Sequence, residues 1–222
     1  MSFRSYHCGV RLILASASPR RADLLRSAGY TFDVVVSDVD ESPHPGESPS
    51  TYVRRLAADK SAAGLGRIAA GLKACTTTGA ETTAGLKACT TPGGDAIILG
   101  ADTTVVVDDE ILGKPFDDED AARMLRRLSG RAHQVLTGVS LRQGAYEVGR
   151  VETTSVVFRP LTGEEIAWYV ASGEGRDKAG GYAIQGLAAR FTPSIAGSYS
   201  NVVGLPLACV DELLRSLLAS RL

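Results

Sequence analysis

What the sequence lacks removes several classes of function. No apolar run approaches the ~20 residues of a membrane-spanning helix, so the chain is expected not to cross a bilayer. Its first ten residues, MSFRSYHCGV, lack the long apolar stretch of a signal peptide, and a cytoplasmic location is the expectation. Neither sign of charge dominates: 24 basic residues against 25 acidic ones leave a net charge of −1. With an aromatic share of only 6%, that balance argues against a nucleic-acid partner, which selects for a basic face. It leaves room for a small basic pocket. Four cysteines (Cys8, Cys75, Cys89, Cys209) form no C-x-x-C pair, and three histidines (His7, His44, His133) show no zinc spacing. Carboxylates and substrate oxygens must therefore hold any metal, which favours hard cations such as Mg²⁺ or Mn²⁺. No G-x-x-x-x-G-K-[ST] occurs, which discounts a P-loop NTPase.

What is present reads as a soluble α/β chain. At 222 residues, 44% hydrophobic and 22% charged, it is long enough to bury roughly 70% of its unfolded surface without staples. Arg11–Ala15 predicts a short buried strand, followed by a helix with Ser18 as N-cap, Pro19 at its first position and Gly29 ending it. A strand over Phe32–Ser37, a proline-rich acidic loop over Asp38–Pro49 and a helix from about Ser50 to Ala63 come next. The octapeptide AGLKACTT then occurs twice, at Ala70–Thr77 and Ala84–Thr91. Two copies make no solenoid, and Gly66–Asp95 reads as a low-complexity, duplicated surface insertion. A strand over Ala96–Ala101 leads to Asp102, and a hairpin turning at Asp108-Asp109 follows. Beyond it lie a helix to Ser129, two strands (His133–Arg142 and Glu147–Phe158), a helix opened by a Thr162/Glu165 capping box, and a last helix over Leu207–Ala219. Strands alternate with helices and with hairpins, so the class is α/β with a mixed sheet.

The chemistry-bearing residues cluster in short motifs. Arg20 and Arg21 stand in the opening turn of a helix, where the macrodipole prefers negative charge. With Ser16, Ser18 and the free N–H groups they make a socket for a phosphate chain, unless both are merely solvated. Asp102, at the end of an apolar strand, stands where α/β proteins place catalytic groups; it suits metal binding or water activation. Glu41, in the acidic loop, can supply a second carboxylate to a magnesium site. Lys114, between Gly113 and Pro115, has a restricted direction suited to phosphate, and Lys60 is either a second such cation or support for its helix C-terminus. Gln185 in the loop Gly180–Gly186 can donate and accept together, which suits the edge of a nucleobase. Gly197–Pro206 either binds phosphate or ribose or forms a close-packed turn.

In their order, LASASPRR (Leu14–Arg21), DE (Asp40-Glu41), Lys60, GADT (Gly100–Thr103), GKP (Gly113–Pro115), LTGV (Leu136–Val139), GYAIQG (Gly181–Gly186) and GSYSNVVGLPL (Gly197–Leu207) resemble the Maf family of nucleoside triphosphate pyrophosphatases. The resemblance implies an elongated, mixed-sheet α/β fold of Maf/inosine-triphosphatase-like type, with an active-site cleft between two lobes. It makes 11–222 a single domain carrying the 66–95 insertion, which is longer than the family's usual connection between Lys60 and Asp102. The implied activity is hydrolysis of a nucleoside triphosphate to monophosphate and pyrophosphate with a divalent cation, Mg²⁺, Mn²⁺ or Co²⁺. Carried over residue by residue, it makes Asp102 the proton acceptor, Glu41, Lys60 and Lys114 its catalytic companions, and Ser16 and Arg20 phosphate ligands. Glu41 and Asp102 become the metal ligands. Arg21, Thr103 and Gln185 match the subgroup acting on dTTP and UTP. A homodimer is common in the family. The alternative from another class is a non-catalytic nucleotide-binding regulator of cell division or septum formation.

Overall fold

A computed structural model describes residues 11–71, 75–76 and 96–219 of the chain. The first ten residues, with His7 and Cys8, and most of the duplicated segment, with Cys89, lie outside the described residues. The mixed α/β class expected from the sequence is what the chain adopts.

Strand β1 (Arg11–Leu14) leads to α1 (Pro19–Ser27) and β2 (Phe32–Val34), and β2 returns parallel to β1. Helix α2 (Pro49–Ala69) is capped by Ser48, whose hydroxyl accepts from the Thr51 amide, and runs six residues beyond the predicted end at Ala63. The two-residue strand β3 (Cys75–Thr76) pairs antiparallel with β2. Next come the long β4 (Ala96–Val107), the short β5 (Glu110–Leu112), and α3 (Asp118–Leu128) with Asp117 as its cap. Strands β6 (Ala132–Gln143) and β7 (Tyr146–Val157) form a second long hairpin. Then follow α4 (Gly163–Ala171) with the predicted capping box, β8 (Ser194–Ala196), the one-turn α5 (Tyr199–Val203) and α6 (Leu207–Ala219). Among the described residues the sheet order is β3-β2-β1-β4-β6-β7-β8, with β5 beside the far end of β4.

Unequal strand lengths position the site. β1 accompanies β4 only from Ala96 to Leu99, and β5 joins the same edge only from Val105. Between them, Gly100–Thr104 is hydrogen-bonded to β6 on one side while its other edge faces the turn leaving β1. Asp102 therefore lies inside a continuous strand and not, as the sequence suggested, at a strand's end. It does lie just past the carboxyl end of the parallel segment, where α/β sheets open a crevice. Two apolar clusters flank that gap. One gathers α1, α6 and the first half of β4 around Leu25, Leu99 and Leu214. The other gathers α3, α4 and the second half around Leu125, Phe158 and Tyr169.

Helix α2 packs on the sheet at backbone contact distance. A Cβ on Gly100 would lie 2.2 Å from the Ala57 carbonyl oxygen, and one on Gly138 would lie 2.1 Å from that of Val53. Only glycine permits that approach. Gly100→Ala is expected to destabilise by about 2–3 kcal/mol, as overpacking does, and to lower activity by lifting α2. Gly66→Ala, whose Cβ meets nothing within 4 Å, should stabilise by about 0.5–1 kcal/mol through helix propensity. Denaturant midpoints of the two variants measure the contrast, and equal midpoints would disprove the contact argument.

Candidate functional site

A cavity of about 690 Å³ opens where the two apolar clusters part, and every residue singled out from the sequence as a site candidate lines it: Ser16, Arg20, Arg21, Glu41, Lys60, Asp102, Thr103, Lys114 and Gln185. Five cationic side chains, the fifth being Lys178, face three carboxylates, the third being Asp177. The cavity is thus cationic in a chain of net charge −1.

At its floor, Lys60 reaches from the middle of α2 to two acids. Its Nζ lies 2.7 Å from Asp102 Oδ1 and 2.6 Å from Glu41 Oε1. Because α2 runs on to Ala69, Lys60 is mid-helix, and support of a helix C-terminus is not its role. Lys60 and Asp102 are nearly buried, whereas the Glu41 side chain is about half exposed. Burial would raise the Glu41 pKa, but the Lys60 hydrogen bond and the charges of Lys60, Lys114 and Arg21 hold it below the usual carboxylate value. The loop carrying Glu41 is pinned to α2. Tyr52 Oη donates to the Glu41 carbonyl, and Arg55 donates from Nε and Nη2 to the Glu47 carboxylate at 2.7 Å each.

The two arginines part company. Arg21 is built into the wall, donating from Nε to the Gly204 carbonyl (2.8 Å), from Nη1 to Ser16 Oγ and from Nη2 to Thr103 Oγ1 (both 3.2 Å). Burial lowers its pKa, with Asp102 opposing that shift. Arg20 stands at the rim, a quarter exposed, and donates to Asp177 Oδ2 at 2.8 Å. Ser18 holds the N-cap position of α1 as predicted, but its side chain forms no cap bond; its amide donates to Ser16 Oγ instead. Thr103, one residue past Asp102 and so on the opposite face of β4, lies 2.9 Å from Thr137 Oγ1. Lys114 and Gln185 are exposed at the mouth, and the Gly180 amide donates to the Gly113 carbonyl, tying their two loops together.

Asp177, Lys178 and Phe116 also line the cavity and were not singled out from the sequence. The first two directly precede the glycine-rich loop, a position that could have drawn attention. Phe116, 97% exposed, carries no sequence signal beyond its place after Gly113–Pro115. Among the described residues no group of three or more His, Cys, Asp or Glu side chains is placed to hold a metal ion. Glu41 and Asp102 do converge on one cation, the Lys60 ammonium, so this donor pair suits a hard cation whose remaining ligands come from phosphate and water.

Beneath the cavity His133 is buried, its Nε2 2.8 Å from Tyr182 Oη and its Nδ1 without a partner among the described residues. Burial pushes its pKa down to about 4.

The description "Maf-like protein" matches residues 11–217. A dTTP/UTP pyrophosphatase of Geobacter sulfurreducens is 48% identical, over 92% of this chain and 95% of the relative. One from Symbiobacterium thermophilum is 50% identical over 92% of each chain, and one from Vibrio parahaemolyticus is 45% identical over 93% and 97%.

The buried His133 sets a pH window. Its folded pKa lies below the unfolded value of 6.5, so the unfolded chain binds the extra proton. Its contribution is whole above pH 6.5 and is lost as the pH falls towards 4, by on the order of 3 kcal/mol. His133→Asn should flatten that part of a thermal-stability profile; a profile parallel to the wild type's would remove His133 as its source.

Proposed function

The chain belongs to the Maf-like protein family, and from that membership and the cleft we propose that it hydrolyses pyrimidine nucleoside triphosphates, dTTP and UTP, to the monophosphate and pyrophosphate. The observation that carries the proposal is the convergence of Arg20, Lys60 and Lys114 on one cavity with Asp102 and Glu41. A triphosphate carries about four negative charges, and catalysis of its cleavage is mostly positioning and charge neutralisation.

In this scheme Arg20 and Lys114, whose charges face the open cavity, take the phosphate chain. Arg20 exchanges Asp177 for phosphate oxygens. Arg21, already committed to Ser16, Thr103 and Gly204, holds the wall and adds its charge without leaving its partners. Glu41 and Asp102 are the residues to hold a divalent cation, which when bound neutralises phosphate charge and lowers the pKa of water. Asp102 accepts the proton of the water that attacks the α-phosphorus. Lys60 engages its Oδ1, and among the described residues no side chain hydrogen-bonds Oδ2, so the carboxylate keeps one oxygen free of protein donors. Pyrophosphate leaves towards the cationic rim. Gln185, exposed at the mouth of the cavity, reads the pyrimidine edge.

The names of the relatives and the cationic cleft support this scheme over the non-catalytic regulator, which would bind dTTP and release nothing. A panel of triphosphates assayed for pyrophosphate, with and without Mg²⁺, Mn²⁺ or Co²⁺, separates the two. Asp102→Asn should lower kcat by about 10²-fold or more while the fold persists; near-normal turnover would take Asp102 out of the chemistry. Gln185→Ala should erode the preference for dTTP and UTP over other triphosphates, and an unaltered preference would mean that the base is read elsewhere.

A further inference from the structure

Among the described residues the Gln185 side chain forms no hydrogen bond, so the backbone that carries it is what limits where it can reach. That backbone is held from both sides by one pair of side chains. Tyr169, at the end of α4, is 1% exposed. Its hydroxyl accepts from the Ala183 amide at 3.0 Å and donates to Glu174 Oε2 at 2.7 Å. The Glu174 carboxylate accepts from the Leu187 amide through both oxygens, at 2.9 and 3.0 Å. Residues 183 and 187 flank Gln185 symmetrically, two positions before it and two after. The fit is close enough that a Cβ on Gly186 would lie 2.0 Å from Glu174 Oε1. Glu174 is itself fixed: its amide donates to Ser172 Oγ, and its carbonyl accepts from Lys178 Nζ.

We infer that Tyr169 and Glu174 are positioning residues for base selection, a clamp on the 183–187 turn that fixes where Gln185 meets the nucleobase; this rests on the pyrimidine-triphosphate reading above. A thymine or uracil edge presents a carbonyl acceptor beside an N–H donor, whereas cytosine presents an amino donor beside a ring acceptor. A glutamine amide carries both functions and can be turned to suit either. Residue type alone therefore cannot separate dTTP from CTP, and the position from which the amide meets the base, set by the backbone of the 183–187 turn, contributes to the separation. Neither clamp residue is among those lining the cavity, so both act through Gln185.

The test compares kcat/KM for dTTP and CTP in the wild type, Tyr169→Phe, Glu174→Gln and Gln185→Ala, with melting temperatures and amide exchange over 183–187. Each clamp variant is expected to lower the dTTP-to-CTP ratio by about tenfold, since a displacement of about 1 Å can cost up to 10²-fold. The change should fall on KM, with kcat for dTTP within about twofold because Lys60 and Asp102 sit on other elements, and exchange over 183–187 should quicken. Tyr169→Phe keeps the aromatic core and carries the test if Glu174→Gln does not fold. An unchanged ratio in Tyr169→Phe, with a lowered melting temperature or without one, overturns the inference. Loss of preference in Gln185→Ala but in neither clamp variant would sink the clamp and leave base reading standing. A wild type that releases no pyrophosphate from dTTP would sink the functional reading itself.

Discussion

The cleft depends on one buried ammonium held between two carboxylates. Lys60 satisfies Asp102 and Glu41 together, and removing one partner of a buried ion pair costs roughly 3–5 kcal/mol because the other charge is left uncompensated. The arrangement exists only because α2 rests on bare backbone. Side chains at Gly100 or Gly138 would push the helix outward and separate the lysine from β4. From that contact the rest follows: the acidic loop is tied back to α2 by Glu47–Arg55 and Tyr52, and Glu41 is delivered to the same point as Asp102. The charges are in place before any ligand arrives, which is the preorganisation that electrostatic catalysis needs.

Strand β4 joins the two walls of the cleft. Its pleat turns consecutive residues to opposite faces, so Asp102 meets Lys60 on the α2 side while Thr103 meets Arg21 and the Gly204 carbonyl on the other. Adjacent residues of one strand thereby serve the two halves of the site. The arginines divide labour in a similar way. Arg21 places each of its three nitrogens on a protein oxygen and is built into the wall, while Arg20 at the rim is held by an exposed aspartate. The turn that carries Asp177, the partner of Arg20, also carries Glu174, the partner of the Leu187 amide.

Much of this was legible before any coordinates. Periodicity located the long helices and strands. The Thr162/Glu165 capping box opens its helix as expected, and the order of motifs named the residues that line the cavity. The errors have physical causes. Asp102 was assigned to a strand end because the apolar run stops there, but the ladder to β6 continues through a polar residue when its neighbours pair. Ser18 is the N-cap of α1 as its sequence position indicates, with its amide donating to Ser16 Oγ and no cap bond from its side chain. The sequence reading ends α2 at about Ala63, yet packing of Leu65 and Ile68 against the core carries the helix on to Ala69.

Side-chain chemistry and local spacing are properties of the chain, and they marked out the residues that line the cavity. Whether Arg20 and Arg21 share an environment, whether Lys60 caps a helix or joins two acids, and what holds the turn that carries Gln185 were decided only by the tertiary structure. Burial and hydrogen-bond partners are set by residues up to 183 positions away, and no local pattern encodes a distance between segments that meet only on folding.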